Sequence, residues 1–207
     1  MLRVLGRGSS INVRKVLWTC AEIELDYVHE PWGSEALPTS LPRFKALNPN
    51  ALVPVIEDGG FVLRESNTIC RYLALKHGRF DLLPVEPQSR ALVEQWMDWQ
   101  ATELNNAWRY AFTALVRGSP DDPDPRAVDA SIQSWNLHMR ILDAQLASTG
   151  AFVTGSTFTV ADVVLGLSVH RWLMTPMARP QLSSLGAYYD RLSARSGFMA
   201  HGRNGTP

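Results

Sequence analysis

The stretch "NPNALVPVIEDGGFVLRESNTICRYLALKHG", Asn48 to Gly78, holds two extended runs, a tight turn and a helix. Val53–Glu57 and Phe61–Leu63 read as strands, and Asp58-Gly59-Gly60 between them has the chemistry of an antiparallel hairpin turn. Ser66–His77 reads as a helix that stops at Gly78. Pro54 stands at the start of the first run, where proline is tolerated at an edge or at a first position. If the Val53–Pro54 bond is cis, it turns the Val53 N–H and C=O outward, free to pair with an extended ligand. An ordinary edge-strand proline fits the spacing equally well. Glu65-Ser66-Asn67 opens the helix: Ser66 is a natural N-cap, and the same hydroxyl and N–H groups can hold a carboxylate while Glu65 accepts from an ammonium group.

Before this stretch, Leu2–Gly6 is a candidate strand, Val13–Ile23 a helix with Val13, Val16, Leu17 and Cys20 at helical spacing, and Tyr27–Glu30 extended. Pro31–Pro42 is a loop, and Arg43–Leu47 one helical turn. The order over residues 1–78 is therefore β-α-β-α-β-β-α. "GRGSSINVRKVLW", Gly6 to Trp18, lacks the third glycine of a dinucleotide loop and the Gly-Lys-Ser/Thr of a Walker loop. Neither serine is framed as Gly-x-Ser-x-Gly, so it is no hydrolase elbow either. Ser9 and Ser10 lie at the carboxyl end of a strand and the start of a helix, where free N–H groups and the helix dipole favour an anion. Plain capping by Ser10 or Asn12 is the competing reading.

Beyond Gly78 the composition shifts. Residues 79–86 form a proline-bearing linker, and 87–207 read as helical. Gln88–Arg117 is expected as one long amphipathic helix with Leu92, Trp96, Trp99, Trp108, Phe112 and Leu115 on one side. "GSPDDPDP", Gly118 to Pro125, is a loop. Trp135, Met139, Leu142 and Leu146 mark the next helix. Thr159-x-x-Asp162 starts another with a capping box, flanked by Phe158 and Val163 as a hydrophobic staple; Asp162 is thus structural, not catalytic. Leu182–Ala194 is the last expected helix, and "HGRNGTP" a loose tail.

Composition narrows the function. At 207 residues and 45% hydrophobic the chain can bury a sizeable core. Twenty acidic and twenty basic residues cancel without long runs, which argues against nucleic acid or a membrane surface as partner. No apolar run approaches the ~18 residues of a membrane span, and the first residues do not form a signal peptide, so a cytoplasmic protein is expected. Cys20 and Cys70 make no CxxC, and the five histidines show no ligand spacing, so no metal is expected and any sulfur chemistry needs an external thiol.

Taken together, "SSINVRKVLW", "NPNALVPVIED", "ESNTICRYL" and "TFTVADVVLG" come in the order and at the spacing of the cytosolic glutathione transferases, and the chain resembles the bacterial theta/zeta-like kind with a serine at the active site. The resemblance covers residues 1–195. It implies a thioredoxin-like α/β domain that holds glutathione over 1–78, an all-α domain over 87–207 that supplies the electrophile pocket, a detoxification role and a homodimer. Ser10, with Ser9 as the alternative, resembles the donor to the glutathione sulfur, and Asn12 is a second group that can reach it. Val53, before Pro54, resembles the residue whose backbone pairs with the cysteinyl part. Glu65 and Ser66 resemble the pair on the γ-glutamyl end.

One departure stands out. Many relatives carry a basic residue where Leu52 stands, so another group must meet the glycyl carboxylate; Trp32, Arg43 and Lys45 are the candidates. Asn105, Trp108, Arg109 and Phe112 are candidates for the electrophile pocket, with Arg171 and His170 facing it or capping their own helix, although an aromatic stripe at this spacing also serves as core. Trp18 is assigned to the core, and Cys20 and Cys70 to inert packing. Arg64, Asn67 and Arg71 are the natural contributors to a subunit contact. The activity implied is attack of the glutathione thiolate on a small hydrophobic electrophile; glutathione-dependent reduction of peroxides or disulfides, and a non-catalytic ligand-binding module, are the alternatives.

Overall fold

The hairpin and the helices around it organise the first half of the chain. The computed structural model describes residues 1–119 and 121–207; Pro120, within the Gly118–Pro125 loop, lies outside them. Strands β1 (Leu2–Leu5), β2 (Tyr27–Glu30), β3 (Val55–Asp58) and β4 (Phe61–Arg64) form one sheet in the order β2-β1-β3-β4. β1 runs parallel to β2 and antiparallel to β3, and β3 pairs antiparallel with β4 around the expected Gly59-Gly60 turn. β3 begins two residues later than the sequence suggests, because Pro54 has no N–H to give to a ladder and the Val53–Pro54 bond is cis. Helices α1 (Ile11–Glu22), α2 (Pro42–Lys45) and α3 (Ser66–Lys76) complete this half.

The remainder is helical: α4 (Pro87–Trp99), α5 (Asn105–Arg117), α6 (Pro125–Thr149), α7 (Val160–Met174), α8 (Ser183–Ser193) and α9 (Ser196–His201). The expected single helix Gln88–Arg117 is interrupted by a π-helical segment, Gln100–Leu104, between α4 and α5. Its expected stripe is borne out in part: Phe112 is buried and Trp96, Trp99 and Trp108 pack against the core. Val93, Met97, Gln100, Leu104, Ala107 and Ala111 face inward, whereas Leu92 and Leu115 are exposed. The inner face mixes apolar side chains with Gln100 and two alanines, and only the two leucines of the expected stripe lie outside.

α6 buries Trp135, Met139, Leu142 and Leu146 as their spacing predicts. α7 is buried along almost its whole length, from Val160 to Trp172. Its capping box forms as expected, with Thr159 N donating to Asp162 Oδ2 at 2.9 Å. Asp162 also accepts from Val153 N at 3.0 Å and the Tyr188 hydroxyl at 3.1 Å, so a single carboxylate ties α7 to the preceding turn and to α8. The tail is not loose: Arg14 on α1 donates to Asn204 Oδ1, Thr206 O and Pro207 O at 3.2, 2.6 and 2.9 Å. Short polar residues concealed this, because the partner that orders them lies at the other end of the chain.

One contiguous core joins the two halves, running from β1 and α1 through α3 to α6, α7 and α8. Trp18 sits within it, with Phe198 and Phe158 ring centres 4.9 and 5.8 Å away. Gly166 on α7 makes room for Trp18: a Cβ there would lie 2.6 Å from Leu192 Cδ1 and 3.1 Å from the indole. Asp162→Ala strands two backbone donors and two hydroxyls in the interior and is expected to lower unfolding free energy by about 3 kcal/mol in urea titration.

Candidate functional site

Ser10 is the N-cap of α1, with extended backbone, and its C=O accepts from Arg14 N at 3.0 Å as the first helical bond. Its hydroxyl makes no capping hydrogen bond. The plain capping reading is therefore not what the side chain does, and the hydroxyl is left for another partner at the positive end of the helix. Ser10 is half-buried and Ser9 exposed. Two residues on, Asn12 lines a small cleft together with Asn48, Leu52, Val53, Pro54, Glu65 and Ser66.

Three loop features shape that cleft. Asn48, buried, donates from Nδ2 to Leu52 O at 2.8 Å and accepts from Asn50 N at 3.1 Å, which holds the turn ahead of Val53. Among the described residues, no group pairs with the N–H or C=O of Val53. Glu65 has φ 71° and ψ 108°, a conformation that costs a non-glycine residue about 1–3 kcal/mol and is concentrated at functional sites. It sits at the N-cap of α3 ahead of buried Ser66, so a carboxylate and the free N–H groups of a helix start lie side by side. Gly6 lets Val53 approach: a methyl group there would overlap Val13 Cγ2 and lie 3.1 Å from Val53 Cβ.

The other candidates are dispersed. Trp32 is buried against Phe44, and its indole N–H donates to Glu30 Oε2 at 3.0 Å, so its polar atom is already engaged. Lys45 is exposed, as is Arg43, whose guanidinium lies over the Trp32 ring. Asn67 is buried rather than available to a subunit contact, and Arg71 pairs with Asp98 within the chain. Only Arg64 of those three is exposed and without an ion pair among the described residues.

α5 shows two faces. Asn105, Trp108 and Phe112 turn inward: the Asn105 Oδ1 accepts from Trp108 Nε1 at 3.1 Å, and the Arg171 guanidinium lies 4.6 Å from the Trp108 ring centre and 4.1 Å from that of Phe112. Arg109 instead lines an open groove with Asn106, Tyr110, Thr113 and Ser119. His170 is buried, with Nδ1 2.8 Å from the Tyr189 hydroxyl, and burial pushes it down to about 4. Burial likewise lowers Arg171 to about 9 and Arg14 to about 10. Among the described residues no group of three or more His, Cys, Asp or Glu is placed to hold a metal ion, and no helix is long and apolar enough to cross a membrane.

Residues 9–76 match the family model for the glutathione S-transferase N-terminal domain. Glutathione S-transferase GstB of Escherichia coli K12 is 36% identical over 197 residues, which are 94% of each chain. The chain belongs to the glutathione S-transferase family. Among solved structures, this transferase is similar to the theta class enzyme of the citrus canker pathogen Xanthomonas axonopodis pv. citri with glutathione bound, at TM-score 0.90 and 34% identity over 97% of this chain and 96% of that one. Rat theta-1 is 30% identical over 168 residues, 74% of this chain and 66% of its own. The family's N-terminal match begins at Ser9 and ends at Lys76, so it takes in every residue of the cleft.

Asn48 lines the cleft, and Asn106, Tyr110 and Thr113 line the groove on α5, without having been singled out in the sequence. The Asn-Pro-Asn turn was the available signal for Asn48; the others needed the rotation of α5, which spacing alone does not supply. Two predictions follow from the geometry. Gly6→Ala, by pushing Val53 aside, is expected to raise the KM for glutathione about tenfold while kcat falls less, as steady-state kinetics would show. Burial pushes the Cys20 and Cys70 thiols up to about 12 and about 11, so neither is expected to react with a disulfide reagent at pH 8 until the protein is unfolded in guanidinium.

Proposed function

We propose that this glutathione transferase activates the thiol of glutathione through the Ser10 hydroxyl and the N-terminus of α1. The observation that carries the proposal is a serine at an N-cap whose hydroxyl caps nothing, beside a cleft closed by Val53, cis-Pro54, Glu65 and Ser66. The glutathione-bound Xanthomonas relative supports glutathione as the ligand. In this reading the free Val53 N–H and C=O pair with the cysteinyl part, and Glu65 and Ser66 receive the γ-glutamyl end. Leu52 provides an apolar edge, and exposed Lys45 or Arg43 meets the glycyl carboxylate. Residues 1–78 hold glutathione and 87–207 supply the electrophile groove.

A thiol of pKa ~8.5 is only a few per cent ionised at neutral pH. Lowering it by about two units takes roughly 2.7 kcal/mol, within reach of one charge-assisted hydrogen bond plus the field of a helix terminus. The thiolate then attacks a small hydrophobic electrophile held beside it, and proximity supplies the rest of the acceleration. Arg109, with Asn106, Tyr110 and Thr113, forms the groove for that electrophile, whereas Asn105, Trp108 and Phe112 pack inward with Arg171. Neither cysteine is accessible to form a mixed disulfide, which favours transfer over thiol exchange through the protein.

Ultraviolet difference titration of bound glutathione tests the assignment. Thiolate is expected at neutral pH in wild type and Ser9→Ala, with an apparent pKa raised by about two units in Ser10→Ala; an unshifted Ser10→Ala titration sinks the role of Ser10. A homodimer is proposed as well, with α3 of one subunit against the long helix of the other. Exposed Phe61 on edge strand β4 and Leu92 on α4 support an apolar contact there, and light scattering on a sizing column should give twice the chain mass of 23.1 kDa.

A further inference from the structure

Lys15 lies on α1 five residues beyond Ser10 and is 1% exposed. Its Nζ donates to Asn67 Oδ1 at 3.0 Å and to Gln100 Oε1 at 2.8 Å. Asn67 follows Ser66 on α3 and passes its own Nδ2 to the Met97 carbonyl at 2.7 Å. Gln100 opens the π segment and donates from Nε2 to Asn105 Oδ1 at 2.9 Å, the same oxygen that receives the Trp108 indole. One ammonium therefore joins the helix headed by Ser10, the helix headed by Ser66 and the root of α5.

Stability does not explain the charge. Among the described residues Lys15 forms no ion pair, and an apolar side chain of its length would fill the same space without the cost of burying an ammonium. The π segment points the same way: its middle residues 101–103 are exposed while Gln100 is buried on Lys15, and such insertions recur at functional sites. The ionisable groups facing Lys15 are Glu65 at the N-cap of α3, Cys70 on α3 and Arg171 on α7; Glu65 attracts the ammonium and Arg171 repels it. Burial, the dominant influence, lowers Lys15 to about 7.

We propose that Lys15 is a positioning residue for glutathione transfer, its buried ammonium holding the starts of α1, α3 and α5 in one register and placing a positive charge beneath the site of the γ-glutamyl carboxylate. The proposal rests on the reading of Ser10, Glu65 and Ser66 as the glutathione site. Its consequence is a pH dependence opposite to that of the thiol: an anionic ligand binds best while Lys15 is protonated, and affinity falls as pH rises through about 7. Folding carries the same mark. Between pH 7 and the ordinary lysine range the unfolded chain holds the extra proton, so Lys15 makes stability rise with pH there.

S-methylglutathione, which has no thiol to ionise, is the probe, and its Kd is measured by titration calorimetry from pH 6 to 8.5 on the full chain. Wild type is expected to weaken about fivefold across that range. Lys15→Met is expected to bind about tenfold more weakly at pH 6 with no pH step, and Lys15→Arg to bind tightly throughout. Gln100→Glu supplies a carboxylate that keeps Lys15 protonated across the range, so the step in Kd between pH 6 and 8.5 should disappear. A wild-type Kd and pH step in a natively folded Lys15→Met overturns the proposal; should that variant fail to fold, an unmoved step in Gln100→Glu overturns it instead. If wild type binds neither S-methylglutathione nor glutathione, the glutathione-site reading falls and this proposal with it.

Discussion

Helix α1 is enclosed on nearly every side, and the rest of the structure is arranged around that enclosure. α3, α7 and α9 pack against it, and Ile11 and every residue from Val13 to Cys20 are buried. Trp18 fills the space that Gly166 and Gly197 leave open: a side chain at Gly197 would collide with its ring, and one at Gly166 would collide with Leu192 and crowd the indole. Packing this dense leaves the helix no freedom to slide. Its N-terminus, and with it the Ser10 hydroxyl, is therefore set by contacts many residues away. The same enclosure takes Arg14 and Lys15 out of water, so both must be met by protein groups: the tail for Arg14, and Asn67 with Gln100 for Lys15.

The cleft beside α1 is made of element ends. Glu65 and Ala51 hold positive φ, Val53 precedes a cis-proline, and Asn48 fastens the turn between them. The two positive φ angles would be unfavourable in an isolated peptide. In the folded chain they leave backbone N–H and C=O groups unpaired along one edge, together with the free donors of two helix starts. Such an edge suits an extended ligand with a carboxylate at its end.

The first half of the molecule was legible in its sequence because its signals are local. The Gly59-Gly60 turn and Gly78 after α3 each act over a few residues, as Thr159 with Asp162 does at α7, whereas the expected Ser66 cap is not made: Ser66 is the first residue of α3 and Glu65 stands at its N-cap. The long helix was legible in extent and only partly in orientation: Phe112 is buried as expected, and Leu92 and Leu115 are not. A π segment at Gln100 and an inner stripe containing alanine and glutamine place Leu92 and Leu115 outside, since what a helix buries depends on its neighbours as well as its own largest side chains. Trp32 read as a possible ligand contact because a tryptophan after a strand can serve either purpose; the position of Glu30 and Phe44 decides for the interior.

Elements, turns, the Thr159–Asp162 capping box and the four family motifs were thus determined by the sequence itself, since each is a relation between residues close along the chain. The partners of buried charge were decided only by the tertiary structure. Lys15 meets Gln100 across 85 positions and Arg14 meets Asn204 across 190, and in the sequence both cations look like ordinary surface residues. The physical reason is that a charge enters the interior only where several distant acceptors converge on it. That convergence is a property of packing, and no local pattern announces it.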